Sequence, residues 1–138
     1  MFRINLNQII LNIKGEPIVN QVVNPKTKKT EDKKMCIRDY LLTILGTRFP
    51  VQENKEIFWT TGLGILFSDE ENKEVEISDD KAKFLKRIIE NNEMIVQGPM
   101  GERKVEIFFP YELSQLLSLF LTEEEKKEYQ NGKPPQKI

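Results

Sequence analysis

Apolar residues in this chain fall into short blocks of two different periods, separated by stretches that contain none. The first block, FRINLNQIILNIKGEPIVNQVV, is rich in Ile and Val and is broken at Lys14-Gly15-Glu16-Pro17. Gly and Pro punctuate turns, so the block predicts two extended segments joined as a β-hairpin. Asn24 to Lys34, NPKTKKTEDKK, has no apolar side chain and five lysines, which predicts a solvated loop.

A helical period begins after that loop. In MCIRDYLLTILGTRF, Ile37, Tyr40, Leu41, Ile44 and Arg48 recur at helical spacing, Leu45 widens the apolar stripe, and Gly46 is placed to end the helix. ENKEIFWTTGLGILFSDEEN carries Ile57, Phe58, Trp59, Leu63, Ile65, Leu66 and Phe67, enough for a buried helix. Gly62 and Gly64 each cost roughly 1 kcal/mol against alanine in such a helix, and close helix packing accounts for them. SDEENKEVEISDDKAKFLKRIIENN predicts an acidic loop and then a helix. Ser78 is its N-cap, Asp79 and Asp80 suit its positive start, and Phe84, Leu85, Ile88 and Ile89 share one face.

MIVQGPMGERKVEIFF holds two apolar segments around Gly98-Pro99-Met100-Gly101 and predicts a second hairpin or an extended loop. Pro110 suits the first position of the next helix, where Leu113, Leu116, Leu117, Phe120 and Leu121 repeat at three and four residues. Thr122 and Glu125 have the spacing of a capping box for a final charged helix, and NGKPPQKI is a polar tail. The fold class is therefore α+β: an N-terminal hairpin, extended by a second one if residues 94–109 pair, packed on about four helices. Residues 1–130 form one domain and 131–138 a tail. The expected core includes Leu41, Ile44, Leu85, Ile88, Leu113, Leu117 and Phe120.

Composition narrows the chemistry. The formal net charge of −1 hides an asymmetry: Met1 to Pro50 carries 9 Lys/Arg against 4 Asp/Glu, and Val51 to Ile138 carries 12 against 18. With no histidine, histidine proton shuttles, Ser-His and Cys-His nucleophile pairs and histidine-ligated metals are excluded. The single cysteine, Cys36, has no internal disulfide partner and reads as a small helix-packing residue in a reducing cytosol. No signal segment and no apolar run of spanning length occurs, so a soluble, unprocessed, cytoplasmic protein without membrane contact is expected.

The remaining motifs are weak sites. The GLG at 62–64 lacks the third glycine, the lysine and the preceding strand of a phosphate loop. Asp69, Glu70, Glu71, Asp79 and Asp80 lack the DxDxDG spacing of a calcium loop, so capping and solubility explain them. No cofactor, metal or catalytic residue is expected, and the chain is read as a non-enzyme. Lys26, Lys28 and Lys29 of the lysine stretch, with Arg103 and Lys104, are the candidate partner-binding residues; the bland reading of the stretch is a solubilising connector, since it lacks arginines and stacking aromatics.

The order of the GEPI turn, IRDYLLTIL, VEISDDKAKFLKRI and PYELSQLLSLF resembles a family of small phage and prophage proteins of unknown function. In that family a short hairpin precedes a helix, an LS..D...IK helix start and a P....Q...LL ending. The matching residues are Gly15, Glu16 and Pro17, then Ser78 and Asp80, then Pro110, Gln115 and Leu117. The resemblance covers about two thirds of the chain and rests on structural residues; MIVQGPMGERK departs from the shorter loop of the pattern. It implies an origin more than an activity. The leading expectation is a non-enzymatic phage or mobile-element protein that binds and modulates a host protein of replication, transcription or defence. A virion structural or assembly factor would instead form a symmetric oligomer. A nucleotide or nucleic-acid module using the lysine stretch and Arg103-Lys104 would show steep salt dependence.

Overall fold

The first strand does not pair with the segment that follows it in the chain. In the computed structural model, which describes residues 1–121 and 123–130, β1 (Phe2–Asn5) pairs antiparallel with a distant strand, Glu74–Ile77, here β4. Phe2 faces Ile77 and Ile4 faces Val75, and Ile4, Val75 and Ile77 are buried. On the outer side Arg3 meets Glu76 at 2.7 Å and Glu74 at 3.3 Å. Two expectations are corrected by this pairing. The acidic stretch before Ser78 is partly a strand, since alternation of Glu74 and Glu76 with Val75 and Ile77 is the period of a half-buried sheet. The N-terminal hairpin is reduced to its turn: Asn12 N–H donates to Glu16 O at 2.7 Å, Leu11 bridges Pro17, and Gly15 takes a φ of 82°.

The chain after that turn forms a different hairpin. β2 (Val19–Val23) pairs with β3 (Thr30–Lys34), Val19 opposite Lys34 and Val23 opposite Thr30. The lysine stretch is thus a turn followed by a strand rather than a loop. Its solvated character was correctly expected, because every residue of β2 and β3 is exposed. The second hairpin forms as one of its two predicted alternatives, with β5 (Glu93–Gly98) and β6 (Gly101–Glu106) in register from Glu93–Glu106 to Gly98–Gly101.

Five α-helices complete the described α+β fold: α1 (Ile37–Leu45), α2 (Asn54–Ser68), α3 (Asp79–Asn91), α4 (Pro110–Leu117, with a 3-10 turn at Ser118–Phe120) and α5 (Glu123–Gln130). Ser78 Oγ accepts from Lys81 N–H at 3.3 Å as the cap of α3, and Pro110 opens α4. The core joins the inner face of β1 and β4 to α1, α2, α3 and α4 through Ile4, Leu41, Ile44, Phe67, Leu85, Ile88, Leu116 and Phe120. Leu113 and Leu117, expected in that core, are only partly buried; Leu116 is the fully covered residue of α4. Arg48 lies beyond the end of α1 and is exposed, because Gly46 already caps the helix. Close packing does not explain the two glycines of α2, since a Cβ added at Gly62 or Gly64 would meet nothing within 4 Å. Thr122 of the expected capping box and the 131–138 tail lie outside the described residues.

Candidate interaction surfaces

The buried polar groups of this chain hold elements together. Arg38 is buried and gives its guanidinium to the carbonyls of Phe67, Asp69 (2.8 Å) and Asn72 (2.6 Å), which places a cation on the negative end of α2. Glu56 on α2 takes a two-pronged contact from Arg87 on α3 at 2.7 and 2.9 Å, and a Gln52 N–H at 2.9 Å. The Arg87 hydrogen bond brings the Glu56 carboxyl down to about 2. Tyr40 on α1 donates to Glu112 on α4, and burial first, then that bond, push its phenol above the ordinary range. Cys36 precedes α1 and donates from Sγ to Asp39 at 3.2 Å, while Asp39 also takes Lys33 Nζ at 2.9 Å. Burial raises the Cys36 thiol, so it sits where a thiolate is disfavoured.

Of the acidic residues weighed as ligands, Asp69, Asp79 and Asp80 have local partners or positions. Asp69 Oδ1 accepts Glu71 N–H at 3.0 Å within a turn, Asp79 pairs with the N-terminal ammonium at 2.9 Å, and Asp80 lies in the first turn of α3. A hollow of about 610 Å³ is an open trough between α1 and α2 bordered by Leu42, Leu45, Gly64 and Ile65, with Asp69 its one titratable group. No described helix is long and apolar enough to cross a membrane.

The predicted partner-binding residues fall on two separate arms. Lys26, Lys28 and Lys29 form the tip of the β2–β3 hairpin, whose turn is organised by Asn24. Its Oδ1 accepts Lys26 N–H at 2.8 Å and Thr27 N–H at 3.3 Å, and its Nδ2 donates to Glu31 at 2.7 Å. Lys28 adopts a left-handed φ of 58°, supported by its N–H bond to Asn24 O at 2.7 Å. At the base, Met35 N–H donates to Ile18 O at 2.8 Å and Ile10 N–H to Met35 O at 2.9 Å, rooting the arm in the first turn. Arg103 and Lys104 lie on β6, opposite Val96 and Ile95 respectively. Successive strand residues point to opposite faces, so these two cations do not act as one patch. Lys104 borders a small hollow with Arg48, Phe49, Glu93 and Ile95. Asn92, left-handed at φ 40°, clamps the base of this arm by donating to Phe108 O at 3.0 Å and accepting Phe108 N–H at 2.8 Å. At its far end Met100 is 98% exposed.

A third surface was not anticipated from the sequence. Phe58, Ile65 and Ile57 on α2 are 76%, 70% and 54% exposed, whereas Leu63 and Phe67 on the opposite side of the same helix are buried. The signal was present in the apolar residues all round α2, since a helix of that kind is normally covered on every side. No protein-family model matches the chain, and neither curated proteins nor solved structures give a significant match.

Proposed function

We propose that this chain is a non-enzymatic phage or mobile-element protein that acts in the host cytoplasm by binding and modulating a host protein, which it contacts with its two hairpin arms. The observation carrying this reading is that both arms are structured without serving the core. Every residue of β2 and β3 is exposed and none of β5 or β6 is buried. Ordering each such residue costs on the order of 1 kcal/mol, and isolated two-stranded ribbons are marginal in water. Side-chain clamps at Asn24 and Asn92 offset that cost, and a contact surface is a reason to hold such arms in place. A lysine tip favours an acidic partner surface, where rim charges accelerate encounter.

The test is capture of host proteins by the full chain and by its Lys26→Ala/Lys28→Ala/Lys29→Ala variant. The expected result is a retained partner, an unchanged melting temperature, and association that is slower by about tenfold. A nucleic-acid reading is favoured by one observation: among the described residues Lys26, Lys28 and Lys29 enter no salt bridge, while Lys33 of the same hairpin is held by Asp39 at 2.9 Å. Retention of nucleic acid at physiological salt, abolished by the same triple change and falling steeply with added salt, would replace the protein-modulator reading.

A further inference from the structure

The two edges of the β2–β3 arm differ in kind. Asn24 N–H donates to Lys29 O at 2.9 Å at the tip and Met35 N–H to Ile18 O at 2.8 Å at the base, and the register between them puts both contacts in one phase. Bonded pairs therefore alternate through Val22–Glu31 and Asn20–Lys33, which leaves Val19, Gln21 and Val23 with N–H and C=O directed away from β3. Those outward groups meet no protein partner among the described residues. The strand β3 is guarded by Glu31, Asp32, Lys33 and Lys34, as exposed edges usually are, whereas VNQVV carries no charge and leaves Val19 and Val23 49% and 65% exposed. The unguarded edge is already in use at its root. Ile18 N–H donates to Ile10 O at 3.1 Å and Leu11 bridges Pro17 antiparallel, but at Ile9 the chain crosses to Cys36. A third strand thus runs beside the base of β2 and ends at Ile18.

We infer that the edge of β2 from Val19 to Val23 takes up an extended segment of the partner protein, added antiparallel as a third strand whose amino-terminal end is acidic. The inference rests on the reading of this arm as a contact surface and names how the contact is made. Its direction follows from the Leu11–Pro17 bridge. A strand in line with Ile10 and Leu11 runs antiparallel to β2, so its amino end lies beside Val23 and the tip. There Lys26, Lys28 and Lys29 enter no salt bridge among the described residues, and three free cations at one end of a groove select carboxylates at the matching end of the ligand. Backbone bonds to Val19, Gln21 and Val23 supply the affinity in strand addition. Val19 and Val23 share one face of β2, so β-branched residues at alternate positions of the incoming segment pack across from them.

The experiment is amide hydrogen exchange, read by NMR, on the full chain with a synthetic peptide of alternating valine and threonine that begins with three aspartates, and with a counterpart that begins with three lysines. The expected result is exchange at Val19, Gln21 and Val23 slowed at least about tenfold by the aspartate peptide, with Asn20 and Val22, already bonded to β3, little changed. The lysine peptide should bind at least about tenfold more weakly. Gln21→Pro should abolish the protection at an unchanged melting temperature, because the Gln21 N–H takes no part in the β2–β3 ladder. Gln21→Lys, which charges this edge as β3 is charged, makes the same test without a proline. Unchanged exchange overturns the inference, as does equal binding of the two peptides. Protection that rises with protein concentration alone also overturns it and gives the edge to a second copy. A host protein captured equally by the parent and both Gln21 variants would sink the strand addition while leaving the arm a contact surface. Protection by the aspartate peptide in a chain that captures no host protein would uphold the strand site and end the host-modulator reading.

Discussion

Gln115 pairs with Leu11 through both ends of its side-chain amide. Its Oε1 accepts Leu11 N–H at 2.8 Å and its Nε2 donates to Leu11 O at 2.7 Å, so a side chain on α4 completes the backbone pairing of the first turn across 104 positions of sequence. The contact is solvent-accessible, and water replaces part of what is lost when it is removed. Gln115→Ala is expected to cost about 1 kcal/mol and to lower the melting temperature by about 2–5 °C. Gln115→Glu should behave similarly, because it keeps the acceptor but sets a second oxygen against Leu11 O. Thermal unfolding of the two variants checks this.

Glu56 supplies an acid-sensitive part of the stability. Its carboxyl is held at about 2 in the folded chain against an ordinary 4.5, chiefly by the Arg87 hydrogen bond. A carboxyl depressed on folding contributes stability above its unfolded value, and that contribution is lost as pH falls through the folded one. Between about pH 4.5 and pH 2 the Glu56–Arg87 link should therefore fade. Glu56→Gln is expected to lose roughly 2 kcal/mol at neutral pH and to differ less from the parent at pH 3. Urea midpoints at the two pH values measure the difference.

Gly64 should be improvable. It sits inside a 15-residue helix with open space where a Cβ would go, so the backbone entropy of glycine is carried there without a packing return. Gly64→Ala is expected to raise stability by about 0.5–1 kcal/mol in the dilute chain. A lower denaturation midpoint would show that the position is crowded after all.

The helices were the legible part of the fold. α1, α3 and α4 announce themselves by apolar residues at three- and four-residue spacing and by local end signals at Gly46, Ser78 and Pro110, all of which act within one or two turns. The β5–β6 hairpin was nearly as readable, since Gly98 and Gly101 bracket its turn and its strands are neighbours in the chain. The pairing of β1 with β4 was hidden, because nothing near Phe2 indicates that its partner is Ile77. Of the candidate surfaces, the lysine tip was visible as a run of charge. The outer face of α2 was not, because Phe58 and Phe67 look alike in sequence and only the direction of the core separates them.

By itself, then, the sequence determined the helical segments, the end signals at Gly46, Ser78 and Pro110, the charged and solvated character of residues 24–34, and the exclusion of histidine chemistry, because each depends on residue type or on neighbours a few positions away. Only the tertiary structure decided that Thr30–Lys34 is a strand, that Arg103 and Lys104 point to opposite faces, and that Leu116 rather than Leu113 or Leu117 is fully covered. Those outcomes depend on which distant segment arrives to pair or to pack. A strand's partner is chosen by the burial of Ile4, Val75 and Ile77 together, and a helix face is inside or outside according to where that shared core lies.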